Sequence, residues 1–317
     1  MRTITADEIA SALSHQTLVE ALAEAFRADI AAPARHQHTI PQPGGDATLQ
    51  LASAWTGAAG DDGIRMIGCD VTGVFPMNAK AGKPSRHGGY LLMSGATGET
   101  LAVLDGAALT AWRAGATSAL ASRYLSREDS SHLLMIGAGA LAPLLVRAHS
   151  EVRPIKRVTL WNRTHSRAIA TAFALGAAGI ETEVADDLEA AVRAADIVCC
   201  ATLSADPLIQ GAWLRKGTHV DLVGAFTPKM READDEALRR ARVYVDSRDT
   251  APKGSADIAG PLKRKVIALK DIQGDLFELC RGTAKGRKRK DEITLFKSIG
   301  PPAAGLATAM LVWRMLK

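Results

Sequence analysis

The sequence is poor in cysteine and has no long run of apolar residues. Only four of its 317 residues are cysteines, and no two of them form a C-x-x-C pair, which excludes a small scaffold stapled by disulfides. The most apolar late stretch, residues 303–313, is too short to span a bilayer. Residues 1–14 lack the basic-then-apolar layout of a signal peptide. We therefore expect reduced, mostly buried thiols in a cytoplasmic protein without a membrane partner, and we predict no metal site.

The sequence also lacks a large excess of charge of one sign. It has 39 Lys and Arg against 34 Asp and Glu, which gives a net charge of +5. Because acidic residues are interspersed among the basic ones, this mild excess does not predict a nucleic-acid partner. The basic run at 285–290 is interpreted as a solvated loop, with an anion or nucleic-acid patch as the alternative. Apolar residues at 47% and charged residues at 23% are typical of a soluble globular protein.

The first third of the chain predicts a sheet with flanking helices. Residues 4–30 carry apolar side chains at helical spacing, and residues 33–63 are rich in Pro and Gly, which predicts turns and short strands. An alanine-rich segment favours a helix over 107–125. Strand-like runs precede it at 64–75, 89–93 and 101–104.

From residue 132, short apolar runs alternate with helical segments. The predicted strands are 133–136, 158–161, 197–201, 219–223 and 243–245, and the predicted helices are 140–150, 164–176, 186–195 and a final 303–317. Strands that alternate with helices predict an α/β fold, with a parallel sheet wound by helices on both faces.

The strongest local signal for chemistry is Gly137-Ala138-Gly139-Ala140, directly after an apolar strand and before a helix. With Ala142 it forms the pattern G-x-G-x-x-A. The first glycine permits the tight turn, the second lets the backbone approach a pyrophosphate, and the helix N-terminus offers free N–H groups to phosphate. This context predicts dinucleotide binding.

The end of the next strand predicts which dinucleotide is preferred. NAD preference usually rests on a carboxylate about 20 residues past the glycines, but Asn162, Arg163 and Thr164 stand there. Arg163 can pair with a 2′-phosphate, and Asn162 and Thr164 can donate hydrogen bonds to it. We therefore predict NADPH, with NADH as a weaker possibility; the alternative is that Arg163 is only a surface charge.

Two later strand ends are further candidate cofactor neighbours. Ligands of such sheets bind outside the carboxyl ends of the strands, and Thr202 and Val223 follow predicted strands. For Val223 a place in the sheet core is an equal alternative.

Ordered matches along nearly the whole chain resemble the ornithine cyclodeaminase/μ-crystallin family. Besides the Gly137 pattern, the matching segments are 75–78, 90–92, 97–99, 109–113, 161–164, 230–236 and 292–298. Within the family, the segments 200–209, 224–237 and 274–282 look most like the Δ1-pyrroline-2-carboxylate reductases. Those enzymes reduce cyclic ketimine acids to L-proline or L-pipecolate with NAD(P)H.

The resemblance implies an architecture and an activity. A Rossmann domain (121–300) is expected beside an N-terminal α+β domain for substrate binding and dimerisation (1–120), completed by the C-terminal helix (301–317). It implies an NADP-preferring oxidoreductase that acts on the C=N bond of a small imino acid, as a homodimer. The alternatives are an alanine or N-alkyl amino-acid dehydrogenase, ornithine cyclodeaminase, or a non-catalytic NADPH-dependent binding protein like μ-crystallin.

Two departures from the family pattern bear on that choice. True cyclodeaminases place a catalytic Asp two residues after the Gly that matches Gly224, where this chain has Phe226; an apolar ring cannot serve as acid or base. The family's substrate-binding Lys is also missing. Its place falls on Arg65 or on Asp70, depending on the direction of counting, because this segment carries an insertion.

An imino-acid reductase has to hold a carboxylate and keep the imine protonated. Arginine gives the best carboxylate clamp because its fork fits two oxygens. Arg113 matches the family's carboxylate-binding Arg on the connecting helix, although a structural ion pair is the alternative. Arg35 matches the other family Arg, and Arg65 is a third candidate.

The proton is harder to assign from the residues alone. Asp70 could stabilise an iminium cation, or it could be a strand-end Asp bound by backbone N–H groups. His87 has an ordinary pKa of about 6.5 that suits proton exchange near neutrality, and a packed or surface histidine is the equal alternative. We expect most of the rate to come from positioning and electrostatics.

Overall fold

The computed structural model describes residues 1–57, 65–225 and 230–317. The chain divides into two compact units, of which unit 1 comprises Met1–Arg113 and Gly300–Lys317 and unit 2 comprises Ala114–Ile299. The helices are α1 Ala6–Ala12, α2 His15–Arg27, α3 Gly106–Leu125, α4 Ala142–Val152, α5 His165–Ala177, α6 Leu188–Ala194, α7 Asp235–Arg240, α8 Ala251–Gly254, α9 Ala256–Lys263, α10 Leu276–Arg281 and α11 Pro302–Met315. Short 3-10 helices are Pro76–Ala81, Gly211–Trp213 and Leu269–Asp271.

Unit 1 is built on a seven-stranded sheet. Its strands are β1 Arg2–Ile4, β2 Ile30–Ala31, β3 His36–Ile40, β4 Ala47–Thr56, β5 Met66–Val74, β6 Arg86–Ser94 and β7 Thr100–Asp105. The order is β1-β7-β6-β5-β4-β2, with β3 also paired to β4. β1 runs parallel to β7 and the other pairs are antiparallel.

One face of this sheet packs against helices. Side chains alternate between the two faces of a strand, and even-numbered residues such as Ala52, Tyr90 and Leu92 are buried. α11 contacts β4, β5 and β6 on that face and also packs against α2. The ring of Tyr90 lies close to Gly305, where a Cβ would be only 3.1 Å from it.

The opposite face of the same sheet is apolar but only half-buried. The half-buried apolar side chains on this face belong to odd-numbered residues, which are Leu49, Leu51, Ile67, Cys69, Val71, Leu91, Met93, Leu101 and Val103. Trp55, at the end of β4, is 42% exposed. Apolar surface in this amount on one face is typical of an interaction surface.

Unit 2 is built on an eight-stranded parallel sheet with helices between its strands. Its strands are β8 His132–Ile136, β9 Arg157–Trp161, β10 Thr182–Val184, β11 Ile197–Cys200, β12 His219–Leu222, β13 Arg242–Val245, β14 Ile272–Asp275 and β15 Thr294–Lys297. The order is β10-β9-β8-β11-β12-β15-β13-β14. The order reverses between β8 and β11, which is the point where open α/β sheets bind ligands.

Two apolar clusters fill the faces of this sheet. Leu134 and Ile136 of β8 belong to one cluster, and Leu133 and Met135 belong to the other. Burial on both faces explains why these strands appear in the sequence as continuous apolar runs. The predicted α/β class with a dinucleotide-binding domain and an α+β N-terminal part is confirmed.

The structure differs from the sequence-based prediction in several segments, and among them are two short strands, β10 and β14, that were not predicted. The Pro- and Gly-rich segment 33–63 contains β4, a ten-residue strand. β15 lies inside the sheet between β12 and β13, although no strand was predicted there. Within the basic run, Arg287 is half-buried and donates to the carbonyl oxygens of Leu125 and Thr218, so this part of the run is not a solvated loop.

The four cysteines are free thiols, and all but the half-buried Cys69 are buried, as expected. In the described part of the chain, no helix has both the length and the apolar character needed to cross a membrane.

Candidate functional site

The turn between β8 and α4 has the backbone that a dinucleotide requires. Gly137 has φ +104°, and a Cβ there would lie 2.6 Å from the carbonyl oxygen of Ala201. Above Gly139, by contrast, there is nothing within 4 Å of a Cβ position, so the surface over the turn is open. Ala140 is exposed beside it, and α4 starts at Ala142 without a side-chain cap. The turn therefore fits a pyrophosphate at a helix N-terminus.

Asn162 ties this turn to the end of β9. Its Oδ1 accepts from the N–H of Ala138 at 3.3 Å, and its Nδ2 donates to the carbonyl oxygen of Thr164 at 2.9 Å. Arg163 and Thr164 are exposed beside it, and Thr164 caps α5 without a side-chain hydrogen bond. No carboxylate occurs between residues 161 and 171, so nothing in this segment would repel a 2′-phosphate.

Thr202 and Val223 follow β11 and β12 at the same edge of the sheet. The N–H and the hydroxyl of Thr202 both donate to Oε1 of Glu232, at 2.7 and 3.0 Å. The Thr202 methyl group lies 3.1 Å from the position that a Cβ of Gly137 would take, so the carboxyl ends of β8 and β11 are close together. Val223 is half-buried and packs against the apolar cluster under β8, so its place agrees with the sheet-core alternative and leaves part of its surface accessible.

A buried ion cluster is hydrogen-bonded to this edge of the sheet. The ammonium of Lys297, at the end of β15, lies 3.2 Å from Oδ2 of Asp257 and 3.7 Å from Oε2 of Glu232, and all three side chains are fully buried. The ammonium also donates to the carbonyl oxygen of Gly224. Burial raises the pKa of Glu232 to about 7, against the opposing charge of Lys297. We call Lys297, Glu232 and Asp257 the buried triad.

In unit 1, two arginines converge on one backbone carbonyl. Arg35 Nη2 donates to the oxygen of Gly300 at 3.3 Å, and Arg113 Nη1 donates to the same oxygen at 3.4 Å. Arg113 is only 9% exposed. Its Nε has no hydrogen-bond partner among the described residues. Burial lowers the pKa of Arg113, and the charge of Asp70 opposes this; the group stays charged because an arginine in a protein is not deprotonated.

Asp70 lies on the helix-facing side of the same sheet. It is in the middle of β5, opposite Tyr90 of β6, and its Oδ1 accepts from the Thr72 hydroxyl at 2.7 Å. It is thus not the strand-end residue of the alternative interpretation. Burial raises the pKa of Tyr90 well above its ordinary value, so the phenol is a neutral group. The hydroxyl covers Gly68, where a Cβ would lie 2.1 Å from it.

Arg86 joins this group and was missed by the sequence analysis. Burial lowers its pKa, the charge of Arg35 lowers it further, and Asp70 opposes both. Arg86 is on the same face of β6 as Tyr90, which is opposite Asp70, so its side chain shares that face of the sheet with Asp70. We call Arg35, Arg86 and Arg113 the guanidinium cluster; with Asp70 it has three positive charges and one negative.

The structure does not bring His87 and Arg65 to this cluster. His87 is exposed on β6, and because Arg86 and Tyr90 share one face, His87 points to the other. Arg65 is exposed and precedes β5, five residues from Asp70 and about 16 Å along an extended chain. The alternation of faces was a signal that could have separated His87 from the cluster. Phe226, on which the argument against deamination rests, lies outside the described residues.

One further group of ligand-type side chains is buried in unit 2. Nε2 of His149 and Sγ of Cys199 lie 3.2 and 3.3 Å from Oδ2 of Asp221, and the ligand atoms of the group are within 4.8 Å of one another. Burial raises the pKa of the Cys199 thiol, as does the charge of Asp221. The Cys199 thiol donates to the Asp221 carboxylate and the His149 ring contacts the same oxygen, so we interpret the group as a buried hydrogen-bond network.

Residues 4–317 match the model of the ornithine cyclodeaminase/mu-crystallin family. The chain is 39% identical over 321 residues to the protein SAR DEFICIENT 4 of Arabidopsis thaliana, covering 98% of this chain and 95% of that one. It is 39% identical over 295 residues to a Δ1-pyrroline-2-carboxylate reductase of Paracoccus denitrificans, covering 89% and 90%. The solved structure of the Thermococcus litoralis Δ1-pyrroline-2-carboxylate reductase with NADH and L-proline superposes with a TM-score of 0.91 at 30% identity, covering 99% and 97%.

Proposed function

The chain belongs to the ornithine cyclodeaminase/mu-crystallin family, and we propose that it is an NAD(P)H-dependent reductase of cyclic ketimine acids. Its substrates are Δ1-pyrroline-2-carboxylate and Δ1-piperideine-2-carboxylate, reduced to L-proline and L-pipecolate. Unit 2 holds the nucleotide and unit 1 holds the imino acid. The relative from Paracoccus denitrificans and the liganded structure from Thermococcus litoralis support this substrate class.

The proposal depends on one observation, which is that the buried guanidinium of Arg113 has few hydrogen-bond partners among the described residues. A buried charge is costly unless it is paired and hydrogen-bonded, yet Arg113 has one long bond to a neutral carbonyl and an Nε without a described partner. A substrate carboxylate supplies the missing negative charge and accepts from both Arg113 and Arg35.

The other residues of unit 1 then act on the imine. With the carboxylate held by the arginines, Asp70 stabilises a protonated C=N nitrogen, because an opposite charge within about 4–6 Å favours the charged form. The Thr72 hydroxyl fixes the Asp70 carboxylate through its 2.7 Å hydrogen bond. A dinucleotide held by its pyrophosphate at the Gly137 turn would supply the hydride from its nicotinamide ring. Tyr90 is near the cluster, whereas His87 is exposed on the other face.

One assay separates this function from its alternatives. NADPH oxidation is followed with the cyclic imine, then with pyruvate plus ammonia or methylamine, and ornithine is tested for conversion to proline and ammonia. We expect turnover with the cyclic imine only. NADPH binding without turnover on any substrate would instead indicate a binding protein, and proline from ornithine would indicate a cyclodeaminase.

Arg113→Ala tests the carrying observation directly. A hydrogen bond to a charged group contributes about 1.5–3 kcal/mol, so we expect kcat/KM for the ketimine to fall at least tenfold. Arg147→Ala is the matched control because Arg147 is exposed on α4. Retention of full turnover by Arg113→Ala at low substrate concentration would refute the assignment.

NADPH is proposed as the preferred cofactor on the basis of Arg163 and the absence of a carboxylate at the end of β9. Asn162→Asp keeps an acceptor for the Ala138 N–H but adds a negative charge beside the predicted 2′-phosphate. We expect the ratio of NADPH to NADH activity to invert. Asn78→Asp in unit 1 is the control, and an unchanged ratio in Asn162→Asp would contradict the proposal.

A homodimer is proposed from the apolar face of the unit 1 sheet, with a second copy of the chain as its occupant. Val71→Glu places a charge in the middle of that face, whereas Phe173→Glu changes an apolar side chain that is 80% exposed on α5. In light scattering after size exclusion, we expect a dimer for the wild type and for Phe173→Glu and a monomer for Val71→Glu. Dimeric Val71→Glu would exclude this face. The free cysteines favour a reducing compartment, and we keep the cytoplasm as the proposed location.

A further inference from the structure

Resting on the proposed function, we propose that Arg86 is a third residue that binds the substrate carboxylate, and that Asp70 keeps its guanidinium directed into the cluster. Arg86 is on β6 and was not among the predicted site residues. Three separate segments of the chain would then contribute one arginine each to the carboxylate subsite.

The register of the sheet places Arg86 on the correct face. Along β6, Arg86 is opposite Val74, Gly88 is opposite Thr72 and Tyr90 is opposite Asp70. Because side chains two residues apart share a face, Arg86 lies on the side of the sheet that also carries Asp70 and Tyr90. It is half-buried there.

Gly88 is the residue between Arg86 and Tyr90 on this face of β6, and it has no side chain. A Cβ at Gly88 would lie 2.9 Å from the Thr72 hydroxyl oxygen and 2.4 Å from the carbonyl oxygen of Val71. The space over this glycine is thus occupied by the Thr72 hydroxyl, which donates to Asp70. No side chain on that face of β6 separates Arg86 from the Thr72–Asp70 pair.

The charges of the cluster favour an anion. The positive charge of Arg35 lowers the pKa of Arg86, as expected for two charges of the same sign. Asp70 offsets only one of the three positive charges. A carboxylate has about four lone-pair positions on its two oxygens, so it can accept from more than two guanidinium groups. Binding of a carboxylate therefore relieves a repulsion that the folded chain contains.

Asp70 gives the site a selectivity that a purely cationic pocket lacks. A plain carboxylate meets repulsion from Asp70, whereas an acid with a protonated imine presents a cation to it. The cluster thus favours zwitterionic 2-imino acids over simple anions.

The test uses the full chain and the probe pyrrole-2-carboxylate, a planar acid without a basic nitrogen. Its affinity is measured by calorimetry in the presence of NADPH, beside KM and kcat for the cyclic imine. We expect Arg86→Met to weaken probe binding tenfold to a hundredfold and to raise KM by a similar factor, with a smaller change in kcat, because a uniformly binding contact is lost. Asp70→Asn should tighten probe binding at least threefold and lower kcat/KM for the imine at least tenfold.

Lys83→Met is the matched control, since it removes an exposed positive charge three residues before Arg86. It should leave both affinities within twofold. NADPH affinity is a property of unit 2 and is used to check that each variant is folded. If Arg86→Met does not fold, Arg86→Gln, which keeps a polar side chain, must show the same loss of probe affinity.

The outcomes distinguish the two proposals. Wild-type affinity and KM in folded Arg86→Met overturn the role of Arg86, as does an equal loss in Lys83→Met. A wild-type chain that binds the probe but does not reduce the imine overturns the proposed function and leaves the carboxylate subsite standing.

Discussion

The buried triad should make Lys297 one of the most sensitive positions in unit 2. Lys297→Met keeps the length of the apolar stem but removes an ammonium that lies 3.2 Å from Asp257 and 3.7 Å from Glu232. Oδ2 of Asp257 and Oε2 of Glu232 have no other hydrogen-bond partner among the described residues. The substitution therefore leaves two buried carboxylates facing each other without a cation.

The magnitude follows from that arrangement. Removal of one partner of a buried ion pair costs about 3–5 kcal/mol, a large part of the roughly 5–15 kcal/mol that stabilises a protein. At about 2–4 °C per kcal/mol for a domain of this size, the Tm of unit 2 should fall by roughly 6–20 °C. The loss should be greater at pH 8 than at pH 6, because a proton taken up by Glu232 at the lower pH removes part of the repulsion.

Differential scanning calorimetry at the two pH values measures this effect. Lys263→Met, at an exposed position of α9, is the control and should change the Tm by no more than about 2 °C, since surface substitutions are usually within about 0.5 kcal/mol. The double variant Lys297→Met/Glu232→Gln should recover part of the loss. A Tm for Lys297→Met equal to that of the control, or a loss that does not depend on pH, would refute the reasoning.

Three further outcomes are expected. Since burial raises the pKa of Glu232 from 4.5 to about 7, the folded state holds a proton that the unfolded state releases, and the free energy of unfolding should decline between those pH values by up to about 3 kcal/mol. Burial lowers the pKa of His219 to about 3, so this residue changes the free energy of unfolding in the opposite sense between pH 3 and 6.5. The contribution of Glu232 is therefore measured as the difference in free energy of unfolding between wild type and Glu232→Gln, by urea unfolding at each pH. That difference should vanish below pH 4.5. Gly224→Ala should yield little folded protein, because a Cβ would lie 2.0 Å from the carbonyl oxygen of Thr202; soluble protein with wild-type circular dichroism and Tm would contradict the close approach. His87→Gln should change kcat/KM for the imine less than threefold, since the side chain is exposed on the other face of β6, and a tenfold loss would reinstate it as a site residue.

The cofactor turn could be predicted because its requirements are local. A strand, two glycines and a helix start lie within one short stretch, and each glycine has a backbone reason to be there. The alternation of strands and helices likewise predicted a parallel sheet, since period and length are properties of contiguous residues.

The guanidinium cluster could be predicted only in part. Arg113 and Arg35 were found through the family resemblance, but Arg86 depends on the antiparallel register between β5 and β6, which no local pattern fixes. The buried triad is hidden for the same reason: Lys297, Asp257 and Glu232 are far apart in sequence, and a lysine in an apolar run normally argues for a surface position. β15 was missed because Thr294 and Lys297 are polar and leave only two apolar residues between them, so the segment lacks the continuous apolar run that predicted β8 and β11.

The position of β15 between β12 and β13 has a consequence for synthesis of the protein. Until residues 294–297 have left the ribosome, β12 and β13 have no common neighbour, and each presents a row of unsatisfied backbone groups. A nascent or prematurely terminated chain that stops short of β15 would carry two open sheet edges. Such chains should aggregate or require chaperones, whereas the addition of four residues closes the sheet.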